Sequence, residues 1–283
     1  MLSQSTRYYI PAPSLWPICG SVALLSLASG AAAWFNGADW GKYFVIAGLL
    51  MLFYMIAGWF TTVAHESESG QFNKQVDASF RWGMGWFIFS EVMFFAAFFG
   101  ALFYMRVLSV PDLASFESQQ LIWPGFKAAW PVSGPGITEP FMQMPAMGIP
   151  ALNTLILLTS GATITWAHWG LLKGNRSQLI WGLVMTVALG TIFLGFQSYE
   201  YAHAYIDLNL KLTTGAYGAT FFMLTGFHGF HVTIGTIMLI VILFRSVAGH
   251  FKAEHHFGFE GVAWYWHFVD VVWLGLFIFV YWL

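Results

Sequence analysis

Residues 260–282 read EGVAWYWHFVDVVWLGLFIFVYW. In these 23 residues the acidic and imidazole groups are limited to Glu260, His267 and Asp270. The rest is apolar or aromatic on every side of a helical projection, which fits a buried or lipid-facing helix better than a surface one. A span of the hydrocarbon core takes about 20 such residues. In lipid the backbone must satisfy its own hydrogen bonds, and a helix does so within one segment. This stretch therefore sets the fold class: an all-α membrane protein.

Six more runs of the same kind precede it, near residues 15–35, 42–64, 82–107, 151–171, 178–200 and 216–245. Together they predict seven transmembrane helices in a single membrane domain covering residues 1–283. The breakers and charges fall between the runs. Asn36-Gly37-Ala38-Asp39 reads as a tight turn. Residues 108–150 hold Pro111, Pro124, Pro131, Pro135, Pro140, Pro145 and Pro150, with Trp123, Phe126 and Trp130 among them. That loop is too apolar for a solvated tail, and it is expected to lie along the membrane surface, partly as an interfacial helix.

Composition agrees. Hydrophobic residues make up 58% and charged residues 8%, against about 25% charged in ordinary soluble domains. A net charge of −2 leaves no basic footprint for nucleic acid. Cys19 is the single cysteine, so an internal disulfide or a cysteine metal site is excluded, and it reads as a small packing residue. Arg7, Pro11, Pro13 and Pro17 precede the first run without a small-residue cleavage pattern, so a cleaved signal peptide is not expected. With a cytoplasmic N-terminus, the inner side holds Arg7, Lys74, Arg81, Lys173, Arg176, Arg245 and Lys252, and the outer side Lys42, Arg106, Lys127 and Lys211. Seven cations against four favour the N-terminus inside and the C-terminus outside.

Ionisable groups within the spans cost roughly 2.5–3.5 kcal/mol each on insertion scales, so each needs a role. Glu91 lies among Phe87, Phe94 and Phe95. It reads either as a proton-path or subunit-contact carboxyl, or as an uncharged acid bonded to a neighbouring helix. His228 and His231 are three apart and share a helix face. With His267, three residues before Asp270, they are the nearest thing to a haem or copper ligand set, the plainer reading being interhelical hydrogen bonding. Glu200 and Gln197 read as cap or interface groups at the end of the fifth span. His168, between Trp166 and Trp169, reads as an ordinary interfacial histidine. His255 and His256 suit headgroup contact or helix capping better than metal binding, and Arg245 suits a lipid phosphate. No phosphate loop, nucleophile elbow or zinc-hydrolase motif is present.

Several strings are long and unusual. Arg81-Trp82-Gly83-Met84 runs into Phe89-Ser90-Glu91-Val92-Met93-Phe94-Phe95. Thr165-Trp166-Ala167-His168, Thr225-Gly226-Phe227-His228-Gly229-Phe230-His231 and Trp264-Tyr265-Trp266-His267-Phe268-Val269-Asp270 follow in order. The chain resembles cytochrome c oxidase subunit III over about residues 59–283. That resemblance implies a two-helix bundle (helices 1–2) and a five-helix bundle (helices 3–7) with phospholipid in a V-shaped cleft. It implies a non-catalytic subunit of an aa3-type oxidase, the translocase that reduces oxygen to water and pumps protons. The subunit would hold no metal or cofactor, haem a and copper belonging to partner subunits. Its partners would be subunits I and II, membrane phospholipids, small accessory subunits and respiratory supercomplexes. It would stabilise the complex and sustain proton uptake by subunit I. Glu91 matches the family's buried, carbodiimide-reactive carboxyl. Trp59, Glu66 and Arg245 match positions near bound lipid, and His255 and His256 join them as lipid-binding candidates. Where the family often has histidines after the acid matching Glu66, this chain reads Ser69-Gly70-Gln71-Phe72-Asn73. The expected location is a bacterial inner membrane.

Two other readings remain open on the residues, and a third, a haem-bearing catalytic subunit, fails on histidine count and context. A quinol oxidase subunit III shares the fold but usually lacks the first two spans. A proton-coupled transporter using Glu91, His228 and Asp270 would be expected to show internal repeats or broken helices. A haem-bearing catalytic subunit needs more histidines at ligand spacing on different spans.

Overall fold

The computed structural model describes residues 9–137 and 139–283. Arg7, used above for orientation, lies outside the described residues. Every regular element among the described residues is helical. Seven helices are long and apolar enough to cross a membrane, as expected. The chain divides into two compact units, Met1–Phe80 and Arg81–Leu283.

In the first unit, α1 (Trp16–Phe35) and α2 (Gly41–Glu68) form a hairpin. The Asn36 side-chain amide donates to Ala32 O at 2.8 Å, and Gly37 turns the chain at φ +84°, where a side chain would be strained. Most side chains on both helices are exposed; buried positions are Gly20, Ala23, Gly30, Gly41 and Gly48. The seam is therefore glycine against backbone. A Cβ added at Gly30 would meet Val45 N at 2.8 Å, and one at Gly48 would meet Leu27 Cγ at 2.8 Å. Close backbone approach is how helices attract in lipid, where burying apolar surface yields little. The Ser26 hydroxyl donating to Phe44 O (2.9 Å) and Trp16 Nε1 donating to Thr62 Oγ1 (3.2 Å) pin the two ends. Gly30→Val should cost about 1–3 kcal/mol through overpacking. Thermal denaturation in detergent that matched the unaltered protein would refute this account of the seam.

α3 runs Lys74–Phe103 and continues through a π-helical segment, Tyr104–Ser109, into α4 (Val110–Leu113). It begins well before the apolar run predicted from residue 82. Asn73 Oδ1 accepts from the backbone N–H groups of Gln75 and Val76, both at 3.0 Å, so a polar first turn is capped and hydrophobicity does not mark the start. In the long loop, α5 (Phe116–Leu121) is a short helix capped by Ser115.

In the second unit α6 (Ile149–Leu172), α7 (Arg176–Ile206), α8 (Gly215–Ala248) and α9 (Phe257–Leu276, followed by π-helical Phe277–Trp282) pack together with α3. The short α6–α7 turn uses Gly174 at φ +68°, and the Asn175 side chain caps α7 by accepting from Gln178 N. α9 is the most buried span. Its two central tryptophans are tied to α6: Trp266 Nε1 donates to Ser160 Oγ and Trp273 Nε1 to Thr154 Oγ1, each at 2.9 Å.

Candidate functional site

Several ionisable residues of the spans engage partners on other helices. Glu91 on α3 meets His231 on α8, with Oε2 to Nε2 at 2.9 Å. The other ring nitrogen, Nδ1, lies 2.6 Å from Phe227 O. A carbonyl only accepts, so Nδ1 carries a hydrogen. A single further proton then sits between Nε2 and the carboxyl, whichever atom holds it. Acid and imidazole together are electroneutral, which removes most of the cost of placing either in lipid. Phe94 and Phe95 pack on the His231 ring, at 5.9 and 5.0 Å between centroids.

His228, one turn earlier on α8, points elsewhere. It is fully buried, its Nε2 lies 3.2 Å from Val269 O of α9, and Phe193 and Trp273 enclose its ring. His267 faces Thr165 Oγ1 (3.2 Å) and Asp270 Oδ2 (3.7 Å). The suggested ligand set of His228, His231 and His267 is thus not assembled: each ring serves a different contact. Asp270 lies against Gly161, where any Cβ would collide with its carboxyl, so a glycine on α6 makes the niche for an acid on α9.

Of the two roles expected for Glu200, cap or interface, it takes the interface one. α7 continues to Ile206, and Glu200 is buried at 0% exposure, accepting from the Tyr281 hydroxyl at 2.6 Å. It joins α7 to the last helical segment inside the unit.

At the other end of this unit the helices bring four charged or titratable groups together. Arg81 of α3 forms an ion pair with Glu260 in the first turn of α9. Glu260 Oε1 lies 3.5 Å from His256 Nε2 and 3.7 Å from His168 Nε2, and the two Nε2 atoms are 3.4 Å apart. His255 points out while His256 points in, so the tandem pair splits between surface and cluster. His168 is part of that cluster as well as interfacial; Trp166 and Trp169 beside it are exposed.

The family model described as Cytochrome c oxidase subunit III matches residues 6–283. The chain is 42% identical over 282 residues to "Cytochrome c oxidase subunit 3" of Marchantia polymorpha, covering 99% of this chain and 98% of that one. It is 41% identical over 283 residues to the protein of that name from Squalus acanthias, covering 100% and 99%. That from Arabidopsis thaliana is 41% identical over 281 residues, covering 99% and 97%. The chain belongs to the cytochrome c oxidase subunit III family. It is therefore a subunit of a respiratory-chain oxidase and an integral membrane protein with seven spans.

Within this subunit III, the residues set down for lipid lie as follows. Trp59 on α2 is exposed beside Phe60, and their rings stack. Glu66, near the end of α2, takes a hydrogen bond from Tyr9; burial first, and then this bond, raises the phenol above its ordinary range. Arg245, in the last turn of α8, lays its guanidinium over Phe251 at 4.7 Å. Along the sequence Glu91, His231, His256 and Glu260 stand out separately, and nothing there joins Glu91 to His231 or the α9 groups to Arg81 and His168. His256 and Glu260 are four apart, a visible helical spacing. The partners from α3, α6 and α8 are 88 to 179 residues away in the chain, and one sequence carries no signal for them.

Proposed function

We propose that this subunit is a non-redox support for oxygen reduction and proton pumping in an aa3-type cytochrome c oxidase, packing against subunits I and II, holding phospholipids and sustaining proton uptake. Haem a and copper reside in the partner subunits. The observation that carries the reading is the engagement of the transmembrane imidazoles. His228, His231 and His267 contact Val269 O, Glu91 and Thr165 respectively, a use that suits packing and proton retention rather than electron transfer. The Glu91–His231 pair keeps one proton in the membrane without net charge, a property suited to a carboxyl beside a proton-uptake path. We place the subunit in a bacterial inner membrane with the N-terminus cytoplasmic and the C-terminus periplasmic; the loop cations support the orientation.

The test is purification from native membranes in mild detergent. Co-elution with a haem–copper core that oxidises cytochrome c supports the reading. Oxidation of quinol by that complex would make it the subunit III of a quinol oxidase. A chain that elutes alone and moves protons in liposomes would overturn it in favour of a transporter.

Trp59, Glu66, Arg245 and His255 are proposed as phospholipid contacts, with Arg245 the principal cation; His256, expected among them, is buried and faces Glu260 instead. A basic residue near an anionic surface is worth about 1 kcal/mol. Arg245→Ala should thus weaken retention of anionic lipid about fivefold, read as phospholipid per haem after detergent washing. Unchanged lipid content would remove Arg245 from the lipid site.

A further inference from the structure

We propose that His168, His256 and Glu260 form a binding site for a redox-inert divalent metal ion, with zinc as the best fit. The inference stands on the geometry of these side chains and is independent of the function proposed above.

The three ligand atoms form a nearly equilateral triangle, with edges of 3.4, 3.5 and 3.7 Å. The point equidistant from all three lies about 2 Å from each, the length of zinc–nitrogen and zinc–oxygen bonds. Ideal hydrogen bonds would be shorter than these separations: both contacts to the carboxylate are at or beyond the limit. The arrangement is therefore loose for a hydrogen-bonded triad and close to the spacing an ion would impose.

The chemistry of the donors agrees. His256 Nδ1 lies 3.2 Å from Lys252 O. That carbonyl only accepts, so Nδ1 carries the hydrogen and Nε2 presents its lone pair to the centre. Orientation of a ligand imidazole by a backbone carbonyl is the usual outer-shell arrangement at metal sites. Glu260 offers Oε1 to the centre while Arg81 takes its far side, fixing the carboxylate plane. Two imidazoles and one carboxylate are the ligand types zinc takes when a fourth position is left for water. His168 and Glu260 side chains are 25% and 15% exposed, so an ion can enter from the end of the bundle. Arg81 offsets the charge of Glu260, which makes the site a moderate binder and not a permanent one.

The position suggests what the ion does. His168 ends near the C-terminus of α6, His256 precedes α9 and Glu260 opens it. An ion there clamps the end of α6 to the start of α9.

The experiment uses the purified oxidase containing this subunit, dialysed against buffered micromolar zinc. The unaltered complex should hold one zinc equivalent more than His168→Gln or His256→Gln complexes that retain the subunit, with affinity at that site falling at least ~10-fold. Glutamine keeps a hydrogen-bonding amide near the Nε2 position but is a poor zinc ligand, and it leaves the Arg81–Glu260 pair in place. A second measurement needs no variant: zinc should slow carbethoxylation of His168, read by peptide mass, while exposed His255 reacts as before. Equal zinc content in the variants, or a His168 reaction rate indifferent to zinc, overturns the proposal and leaves the triad a hydrogen-bonded clamp.

Discussion

Trp266→Ala should destabilise the second unit by about 3 kcal/mol, toward the lower end of the range for truncating a buried tryptophan. The indole is completely buried and lies between two helices that each leave room for it with a glycine. A Cβ at Gly190 on α7 would stand 2.8 Å from Trp266 Cη2, and one at Gly235 on α8 would stand 2.9 Å from Cε3. The ring is thus held between two backbones, and its removal leaves a cavity that helices fixed by other contacts cannot close. In water, part of such a loss is apolar transfer. In lipid that part shrinks, because the unfolded reference is also apolar, and lost dispersion contacts dominate. The hydrogen bond to Ser160 adds little: Ser160 still donates to Leu157 O at 2.6 Å when the indole is gone. Filling the space from the other side should also hurt, with Gly235→Val costing about 1–3 kcal/mol by overpacking. The readout is the thermal midpoint for release of this subunit from the detergent-solubilised oxidase. A Trp266→Ala midpoint within about 2 °C of the unaltered complex, on the scale where 1 kcal/mol moves a domain of this size by a few degrees, would show that the two glycines do not form a socket.

That socket also shows where sequence reading stops. The seven spans were legible because lipid imposes a length and a polarity on each one, and both properties belong to a single segment. The start of α3 was not, since its first turn is polar and Asn73 caps it. Glu91 and His231 each stood out as expensive groups in lipid, yet their pairing depends on how α3 and α8 rotate against each other. Gly190, Gly235 and Gly161 carried no signal at all, because a glycine in a transmembrane helix is common. Their roles come from Trp266 and Asp270 on a different helix. His256 and Glu260 show an intermediate case. Their spacing was readable along α9, but His168 and Arg81 come from α6 and α3. The identity of the family was legible from strings that cluster at these same contact points.

The Glu91–His231 pair should behave as a unit. Glu91→Gln keeps a donor to His231 Nε2 and stays uncharged, so assembly and oxygen reduction should remain within about twofold of the unaltered oxidase, less than 0.5 kcal/mol in either direction. His231→Leu is different. It strands a carboxyl whose side chain is only 21% exposed among aromatic rings, and leaving such a group without its partner costs about 1–3 kcal/mol. Glu91→Leu alone strands the imidazole, whose Nδ1 still has Phe227 O, so its cost should be smaller. The double variant Glu91→Leu/His231→Leu should then be less destabilised than the sum of the two singles, by about 1 kcal/mol or more, because it strands nothing. Additive losses in that cycle would mean the two groups do not share a proton. The oxygen-reduction assay separates packing from chemistry. If Glu91→Gln assembles fully but reduces no oxygen, the proton on this carboxyl is required by the reaction, and the neutral pair is part of the proton path itself. If activity persists while His231→Leu loosens the subunit, the pair holds α3 to α8, and its proton is kept there because a neutral pair is the least costly form in lipid.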